Sequence, residues 1–384
     1  WANLKKDVIE TSQASLKQLH FPFSDYRKGQ RQFAVAVYKT ILDKDILFAQ
    51  APTGIGKTIS TLFPALKAIG EKKCEKIFYL CAKNITASVA YDTISLIYDQ
   101  GVRFKTVAIT AKDKICFLEE RNCDSKHCPY AKGYFDRCQD ALYELVSQND
   151  FIEKDIVCNV AQDHMVCPFE LSLDASLYAD VIVCDYNYVF DPRVYLKRFF
   201  TEKGNYVFLV DEAHNLVERA REMYSASLYL SNFEDAKKLL PKDRKLVYNS
   251  IQNIIRLLKK IRKSCEEEDN FQYYPVLDET LLSTISNFCE HLDAYFQSEH
   301  DEQHDDTLKQ LYFDCINFGK IADFFDEHFV YYIAVEGKDC MVKQFCMNPV
   351  HPISDILKKG RSTIFFSATL SPIDYYLTLL GGDE

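Results

Sequence analysis

No stretch of about 18 consecutive apolar residues occurs in this 384-residue chain, so no membrane-spanning helix is expected. Glycine and proline, at 12 and 11 residues, are too scarce and scattered for a low-complexity or fibrous chain. The opening residues, Trp1-Ala2-Asn3-Leu4-Lys5-Lys6, lack the apolar segment that follows the charges of a secretory signal. They also lack an initiating Met, and an upstream segment is expected. Positive charge is not in excess: the net charge of −10 argues against a surface devoted wholly to nucleic acid, while leaving room for a local basic channel. Fourteen cysteines are present, but they are scattered and follow no secretion signal, so a disulfide framework is not expected.

What the chain does have is a large apolar fraction, 47%, with 27 Phe and 24 Tyr to fill two or three domain cores. Residues 7–44 read as helical, with Phe33, Val35, Val37 and Ile41 facing the core. Short apolar runs at 45–49, 77–82, 106–109, 181–184, 206–210 and 363–366 read as buried strands. Runs of this kind separated by helices imply a parallel sheet covered on both faces. Two stretches interrupt the pattern. Residues 111–177 are rich in cysteine, and residues 218–330 read as helices without a core strand. Arg256, Lys259, Lys260, Arg262 and Lys263 give the second stretch a basic flank, read either as a solvated helix face or as a DNA-facing rim. The acidic runs at 266–269 and 299–306 read as solvated loops.

Three motifs carry chemistry. Ala51-Pro52-Thr53-Gly54-Ile55-Gly56-Lys57-Thr58 lies between a strand and a helix and fits a phosphate-binding P-loop. The backbone from Thr53 through Gly54, Ile55 and Gly56 would wrap phosphates, Lys57 would reach the β- and γ-phosphates, and Thr58 would ligate Mg²⁺. Pro64, inside the following helix, should bend it or remove one hydrogen bond. About 150 residues on, Asp211-Glu212-Ala213-His214 ends an apolar strand. Asp211 suits Mg²⁺, Glu212 the activation of a water as general base, and His214 the coupling of chemistry to movement. Ser367 and Thr369, in Ser367-Ala368-Thr369-Leu370-Ser371-Pro372, could bond to the Asp211–His214 region. The loop around Lys57 and the acidic tip at 211–212 must then meet at adjacent strand ends.

A cluster of six cysteines, Cys116, Cys123, Cys128, Cys138, Cys158 and Cys167, falls in one insertion. Spacing alone points to metal binding but leaves the ligands open. Cys138 or Cys158 could replace another, and His127 and His164 make a zinc site conceivable. The other eight cysteines read as small buried packing residues.

The set APTGIGKT, DEAH and SATLSP resembles the superfamily 2 helicases. CPYAKGYFDR and CPFELSLDASLYADVIVCDYNYVFDP resemble their XPD/DinG branch, most closely bacterial XPD-like helicases. The resemblance implies an α/β fold: a RecA-like motor domain interrupted by an iron–sulfur insertion and a helical Arch insertion. Residues 1–110, 178–217 and 331–384 would form the first motor domain, 111–177 the cluster insertion and 218–330 the Arch-like insertion; the second motor domain would be absent from these residues. Cys116, Cys123, Cys128 and Cys167, spaced Cys-x₆-Cys-x₄-Cys-x₃₈-Cys, would hold a four-iron, four-sulfur cluster. Arg27 and Gln30 would lie on the adenine side of ATP, with Gln30 reading the base. Lys83 and Asn84 would contact DNA, with Asn84 standing where many relatives have Thr. Tyr186 and Tyr188 would either pack in the core or stack on a base. The implied protein is a monomeric, cytoplasmic, nucleoid-associated ATP-dependent DNA helicase of repair or replication. It would move 5′ to 3′ on single-stranded and fork DNA, with ATP, Mg²⁺ and a 4Fe-4S cluster. Without a second motor half, which brings an arginine worth roughly 10³–10⁵ in rate, these residues alone are expected to hydrolyse ATP very poorly. The competing readings are a DEAH-type RNA helicase and a non-catalytic nucleic-acid-binding scaffold.

Overall fold

The structure, a computed structural model, describes residues 1–82, 84–120, 123–298 and 306–382. The chain divides into two compact units. The first comprises Trp1–Val189, Tyr195–Leu216 and Ile353–Glu384; the second comprises Phe190–Val194 and Val217–Pro352. In chain order the strands are β1 (Ile46–Gln50), β2 (Lys76–Cys81), β3 (Thr106–Ala108), β4 (Phe151–Ile152), β5 (Val181–Asp185) and β6 (Tyr206–Asp211). There follow β7 (Ala226–Tyr229), β8 (Phe271–Tyr274), β9 (Phe329–Glu336), β10 (Asp339–Cys346) and β11 (Ser362–Ser367).

The first unit is built on a seven-stranded parallel sheet in the order β1-β11-β6-β2-β5-β3-β4. Strands β2 and β11 are buried at every residue, as continuous apolar runs require of a sheet covered on both faces. Because all strands run one way, their C-terminal ends lie along one edge, where open α/β sheets place their ligands. The register pairs Gln50 with Ser367 and Phe366 with Asp211, so the ends of β1, β11 and β6 stand in a row. The strands bearing the P-loop and the acidic tip are therefore not the adjacent pair that the sequence suggests. The returning strand β11 lies between them.

The six strands read from sequence are present to within one or two residues; β4 was missed, being only two residues long. The helical reading of 7–44 needs correction. Helix α1 spans Ala2–Leu16 and α2 spans Gln30–Asp43, with a non-helical connection between. Val35 is exposed, whereas Phe33, Val37 and Ile41 face the core at helical spacing. Helix α3 (Lys57–Gly70) follows the P-loop and runs on through Pro64. Its last turn meets the end of α1 closely. A methyl group on Gly70 would lie 2.7 Å from the Leu16 carbonyl carbon, and Lys67 donates to the carbonyls of Lys17 and Leu19.

The second unit is not purely helical. Strands β7, β10, β9 and β8 form, in that order, an antiparallel sheet. Strands β9 and β10 alternate between buried and half-exposed residues along their length. One face therefore packs inward; β10 is broken by Lys343 and Gln344, whereas β9 runs apolar from Phe329 to Val335. Helix Lys245–Glu266 buries Val247, Ile251, Ile254, Ile255 and Leu258 at helical spacing. The unit extends to Pro352 rather than ending near 330. Residues 111–177 fall within the first unit.

The contact at Gly70 opposes two effects. Replacing a helical Gly by Ala gains up to about 1 kcal/mol of propensity, whereas overpacking against fixed backbone costs about 1–3 kcal/mol. Packing should win. Gly70→Ala is expected to lower the urea midpoint of the first unit, and a raised midpoint would show that α1 yields freely.

Candidate active site

The P-loop runs from the end of β1 to the first turn of α3, whose leading N–H groups have no intrahelical partner and face the loop. Gly54 and Gly56 have φ of +86° and +81°, a region open to glycine. Gly56 is fixed twice over, because a Cβ there would stand 2.5 Å from the amide nitrogen of Gln30. Gln30 is buried, and its Oε1 accepts the Arg27 backbone N–H at 3.0 Å. The Arg27 guanidinium in turn donates to the Gly54 carbonyl. The structure thus brings Arg27 and Gln30 against the loop formed by Thr53, Gly54, Ile55 and Gly56.

Across the sheet edge, Lys57 Nζ lies 3.5 Å from Glu212 Oε1. The other carboxylate oxygen, Oε2, accepts from Ser367 Oγ at 2.8 Å. Ser367 Oγ also accepts from the backbone N–H of Thr369 at 3.2 Å and lies 2.7 Å from His214 Nδ1. The hydroxyl has one proton, and Glu212 takes it. His214 must therefore carry its proton on Nδ1. The expected coupling of Ser367 and Thr369 to the Asp211–His214 region has this physical form. Glu212 has a φ of +47°, a left-handed conformation costly for a residue with a Cβ. Tyr186 steadies it by donating to the backbone carbonyls of Asp211 and Glu212.

Asp211 is buried. Its Oδ2 accepts from Tyr79 at 2.8 Å, its Oδ1 accepts the Glu212 N–H at 2.8 Å, and the Thr58 hydroxyl lies beside Tyr79. Burial raises its carboxyl pKa from 3.8 to about 6, against the opposing hydrogen bond from Tyr79. Tyr79 is not marked as a site residue by the sequence, and Tyr186 is marked there only for packing or base stacking. Each is an aromatic in or beside a buried strand, and nothing local marks its hydroxyl as bound to the acidic tip.

The insertion holds a second site. Cys116, Cys123, Cys128 and Cys167 all line a cavity of about 320 Å³, together with Phe117, Tyr130, Tyr134 and Phe169. Cys138, Cys158, His127 and His164 do not line it. His164 instead bonds Glu144 at 2.8 Å, and the Cys138 thiol faces the Phe135 carbonyl. Cys167 is the N-cap of helix Pro168–Ala175, with Pro168 in the first turn, where a missing N–H costs nothing. Burial pushes its thiol pKa up, opposed by the backbone N–H groups of Phe169 and Glu170 that face its sulfur. Tetrahedral zinc, with Zn–S of about 2.3 Å, holds its sulfurs roughly 3.8 Å apart. Among the described residues no three of these thiols have sulfurs within 4.8 Å of one another. Soft donors spread around a cavity suit a polynuclear iron–sulfur group better than a single ion.

Two family models match parts of the chain. The DEAD/DEAH box helicase family model matches residues 30–129, and the DEAD_2 model matches residues 100–233. The chain is similar to the XPD-type superfamily 2 helicases. The regulator of telomere elongation helicase 1 homolog of Caenorhabditis elegans is 24% identical over 267 residues, 57% of this chain and 27% of that protein. The ATP-dependent DNA helicase CHL1 of Saccharomyces cerevisiae is 20% identical over 300 residues, 69% of this chain and 34% of that protein. The chain thus spans about a third or less of these relatives' length. Among solved structures, an XPD helicase aligns with a TM-score of 0.58 at 19% identity, covering 94% of this chain and 62% of that one. A truncated XPD aligns with a TM-score of 0.56 at 20% identity, covering 91% and 96%. The RecA-like α/β architecture follows from these alignments and the parallel sheet.

The remaining expectations concern DNA. Lys83 lies outside the described residues, and Asn84 opens helix α4 (Asn84–Tyr98). Tyr186 and Tyr188 are buried, at 0% and 9% exposure, so neither presents a ring face to a base, and the stacking role falls. On the basic flank, Lys259 pairs with Glu234 at 2.6 Å and Arg262 with Glu266 at 2.7 Å, which matches a solvated helix face. No helix among the described residues is long and apolar enough to cross a membrane.

Asp211 also makes stability depend on pH. An acid whose pKa is higher folded than unfolded holds its proton more tightly in the folded state. Its stabilising contribution is therefore present below about pH 4 and is lost as pH rises through about 6. That difference corresponds to ~3 kcal/mol. Without nucleotide or Mg²⁺, Asp211→Asn is expected to be more stable than wild type at pH 8, by up to ~3 kcal/mol. The gap should close between pH 6 and pH 4 in urea titrations. Parallel pH profiles for the two proteins would locate the dependence elsewhere.

Proposed function

We propose that the chain is the ATP-binding first motor half of a DNA helicase that couples ATP hydrolysis to movement on single-stranded DNA and to duplex unwinding. The observation that carries this reading is the 3.5 Å approach of Lys57 to Glu212, with Glu212 also held by Ser367. One volume is thereby bounded by phosphate-binding backbone, a cation, a carboxylate base and a hydroxyl relay.

In the proposed mechanism the loop from Thr53 to Gly56 and the start of α3 direct N–H groups at the phosphates of ATP. Lys57 neutralises charge on the transferring group. Thr58 and Asp211, linked through Tyr79, would hold Mg²⁺, which when bound supplies Lewis-acid stabilisation of the phosphate oxygens. Glu212 orients the attacking water and takes its proton. Ser367 and His214, bonded to each other and to Glu212, pass the state of the carboxylate to the turn at Thr369. Gln30 and Arg27 brace the loop from the side assigned to adenine. The thiols of Cys116, Cys123, Cys128 and Cys167 would hold a 4Fe-4S cluster. Its binding energy would fix an insertion with little core of its own.

Relatives named as DNA helicases, and a cysteine cavity beside a DEAH motor, favour DNA over RNA as the track. Movement from 5′ to 3′ rests on the family resemblance.

Two tests follow. Glu212→Gln should keep Mg-ATP binding while slowing single-turnover phosphate release about 10²–10⁴-fold. Lys57→Ala should weaken binding itself. Release should rise with single-stranded DNA more than with RNA; the reverse preference would favour the RNA-helicase reading, and equal release by Glu212→Gln and wild type would remove the base assignment. For the cysteines, protein purified without oxygen should be brown and carry about four irons per chain. Serine at any of the four should lose that iron, whereas serine at Cys138 or Cys158 should not. A colourless, zinc-loaded protein would overturn the cluster.

A further inference from the structure

The second unit carries a group of metal-capable side chains that the motor reading does not use. The turn Asp326-Glu327-His328 leads into β9, and His351 stands at the start of helix Val350–Leu357, just after β10. One potential ligand atom from each of Glu327, His328 and His351 lies within 4.8 Å of the others. The two imidazole rings are 4.5 Å apart, centre to centre, inclined at 68°. The acids of an exposed turn alone would mean little. Here two imidazoles converge from separate segments, and a fourth residue orients them.

That residue is Asp326. Its Oδ2 accepts from His351 Nδ1 at 2.5 Å, and its Oδ1 accepts the His328 backbone N–H at 2.8 Å. With Nδ1 donating to a carboxylate, the Nε2 of His351 keeps its lone pair for an electrophile. This is the carboxylate–histidine arrangement that sets a metal-ligating imidazole. Both Asp326 oxygens are occupied, so Asp326 is an orienting group and not a ligand. The backbone is braced as well. The His328 carbonyl accepts the N–H groups of Met347 at 2.9 Å and Asn348 at 3.3 Å, and Asn348 Oδ1 accepts the Val350 N–H at 3.0 Å. The segments on either side of the β9–β10 hairpin are thus already joined where the two histidines meet.

We propose that Glu327, His328 and His351 bind one divalent transition-metal ion, Zn²⁺ in preference to Mg²⁺ or Ca²⁺, with Asp326 as orienter and water completing the coordination. Two imidazoles and one carboxylate form a borderline donor set, whereas Mg²⁺ and Ca²⁺ select oxygen. The ion would clamp the entry to β9 against the exit from β10.

Cobalt titration of the full chain tests this, because cobalt on nitrogen and oxygen gives visible d–d bands without the charge-transfer absorption of cobalt on thiolate. This keeps the site distinguishable from the cysteines. The expected result is one equivalent of Co²⁺ without the charge-transfer band, displaced by Zn²⁺ and not by Mg²⁺. His351→Ala should weaken that binding at least tenfold, and Asp326→Asn about 10–100-fold. Glu327→Gln, at an exposed position, should weaken it while leaving the circular dichroism spectrum unchanged, which separates lost binding from lost folding. Undiminished d–d absorption in both His351→Ala and Glu327→Gln, or thiolate-type absorption alone, would overturn the proposal.

Discussion

The candidate nucleotide site depends on the carboxylate of Glu212, held between Lys57 on one oxygen and Ser367 on the other. Lys57 opens α3 beyond the β1 loop, Glu212 follows β6 and Ser367 ends β11, 155 residues from Glu212 in sequence. They meet because β11 returns to the sheet between β1 and β6. Parallel register then brings Gln50, Ser367 and Asp211 to the same edge. A hydroxyl at that middle position can serve both neighbours. Ser367 donates its one proton to Glu212 and accepts from His214 and from the Thr369 N–H. Its capacity is fully used, and a change in what Glu212 touches must redistribute those bonds.

The same edge is where the fold is least comfortable. Glu212 has a left-handed backbone, and Asp211 is buried deeply enough to resist ionisation. Left alone, each costs free energy on the order of a few kcal/mol. The offsets are specific. Tyr186 holds both carbonyls of the acidic tip, and Tyr79 donates to Asp211 from a fully buried strand. The tyrosine hydroxyls lie inside the sheet layer, where water screens them little and their bonds count for more. Removing a tyrosine would free the tip without touching any motif residue. The acidic strand end is therefore better regarded as a supported group than as two carboxylates.

Much of the first unit was legible because its strands are buried on both faces and read as unbroken apolar runs. The P-loop glycines were legible because phosphate-binding backbone demands them. Other features needed coordinates. Strands β7, β8 and β10 lack the apolar run that marks β2 or β6, and β9, which has one, lies beyond the limit near 330 that the sequence suggests for the helical insertion, whereas the second unit extends to Pro352. Val35 lies among apolar helix neighbours yet points outward, because one residue's step around a helix is about 100°. Tyr186 invited a stacking role through its setting in a polar, aromatic stretch, whereas its hydroxyl is spent on two carbonyls and its ring is enclosed. Spacing shows that an aromatic is present; only burial shows which surroundings it has.

The cysteines show the same limit in another form. Six thiols in one insertion allow many ligand sets, and spacing does not rank them. Three-dimensional placement does, since four of them share one cavity and the other two do not line it. The local devices agree with that division. Cys167 caps a helix whose N–H groups meet its sulfur, and the Cys128 carbonyl accepts from Ala131 and Lys132, tightening the turn that presents it. Cys138, by contrast, lies within helix Tyr134–Gln148 with its thiol on a neighbouring carbonyl. A ligand needs a sulfur free to ionise and backbone donors to stabilise it. The Cys138 thiol instead donates to a carbonyl oxygen away from the shared cavity.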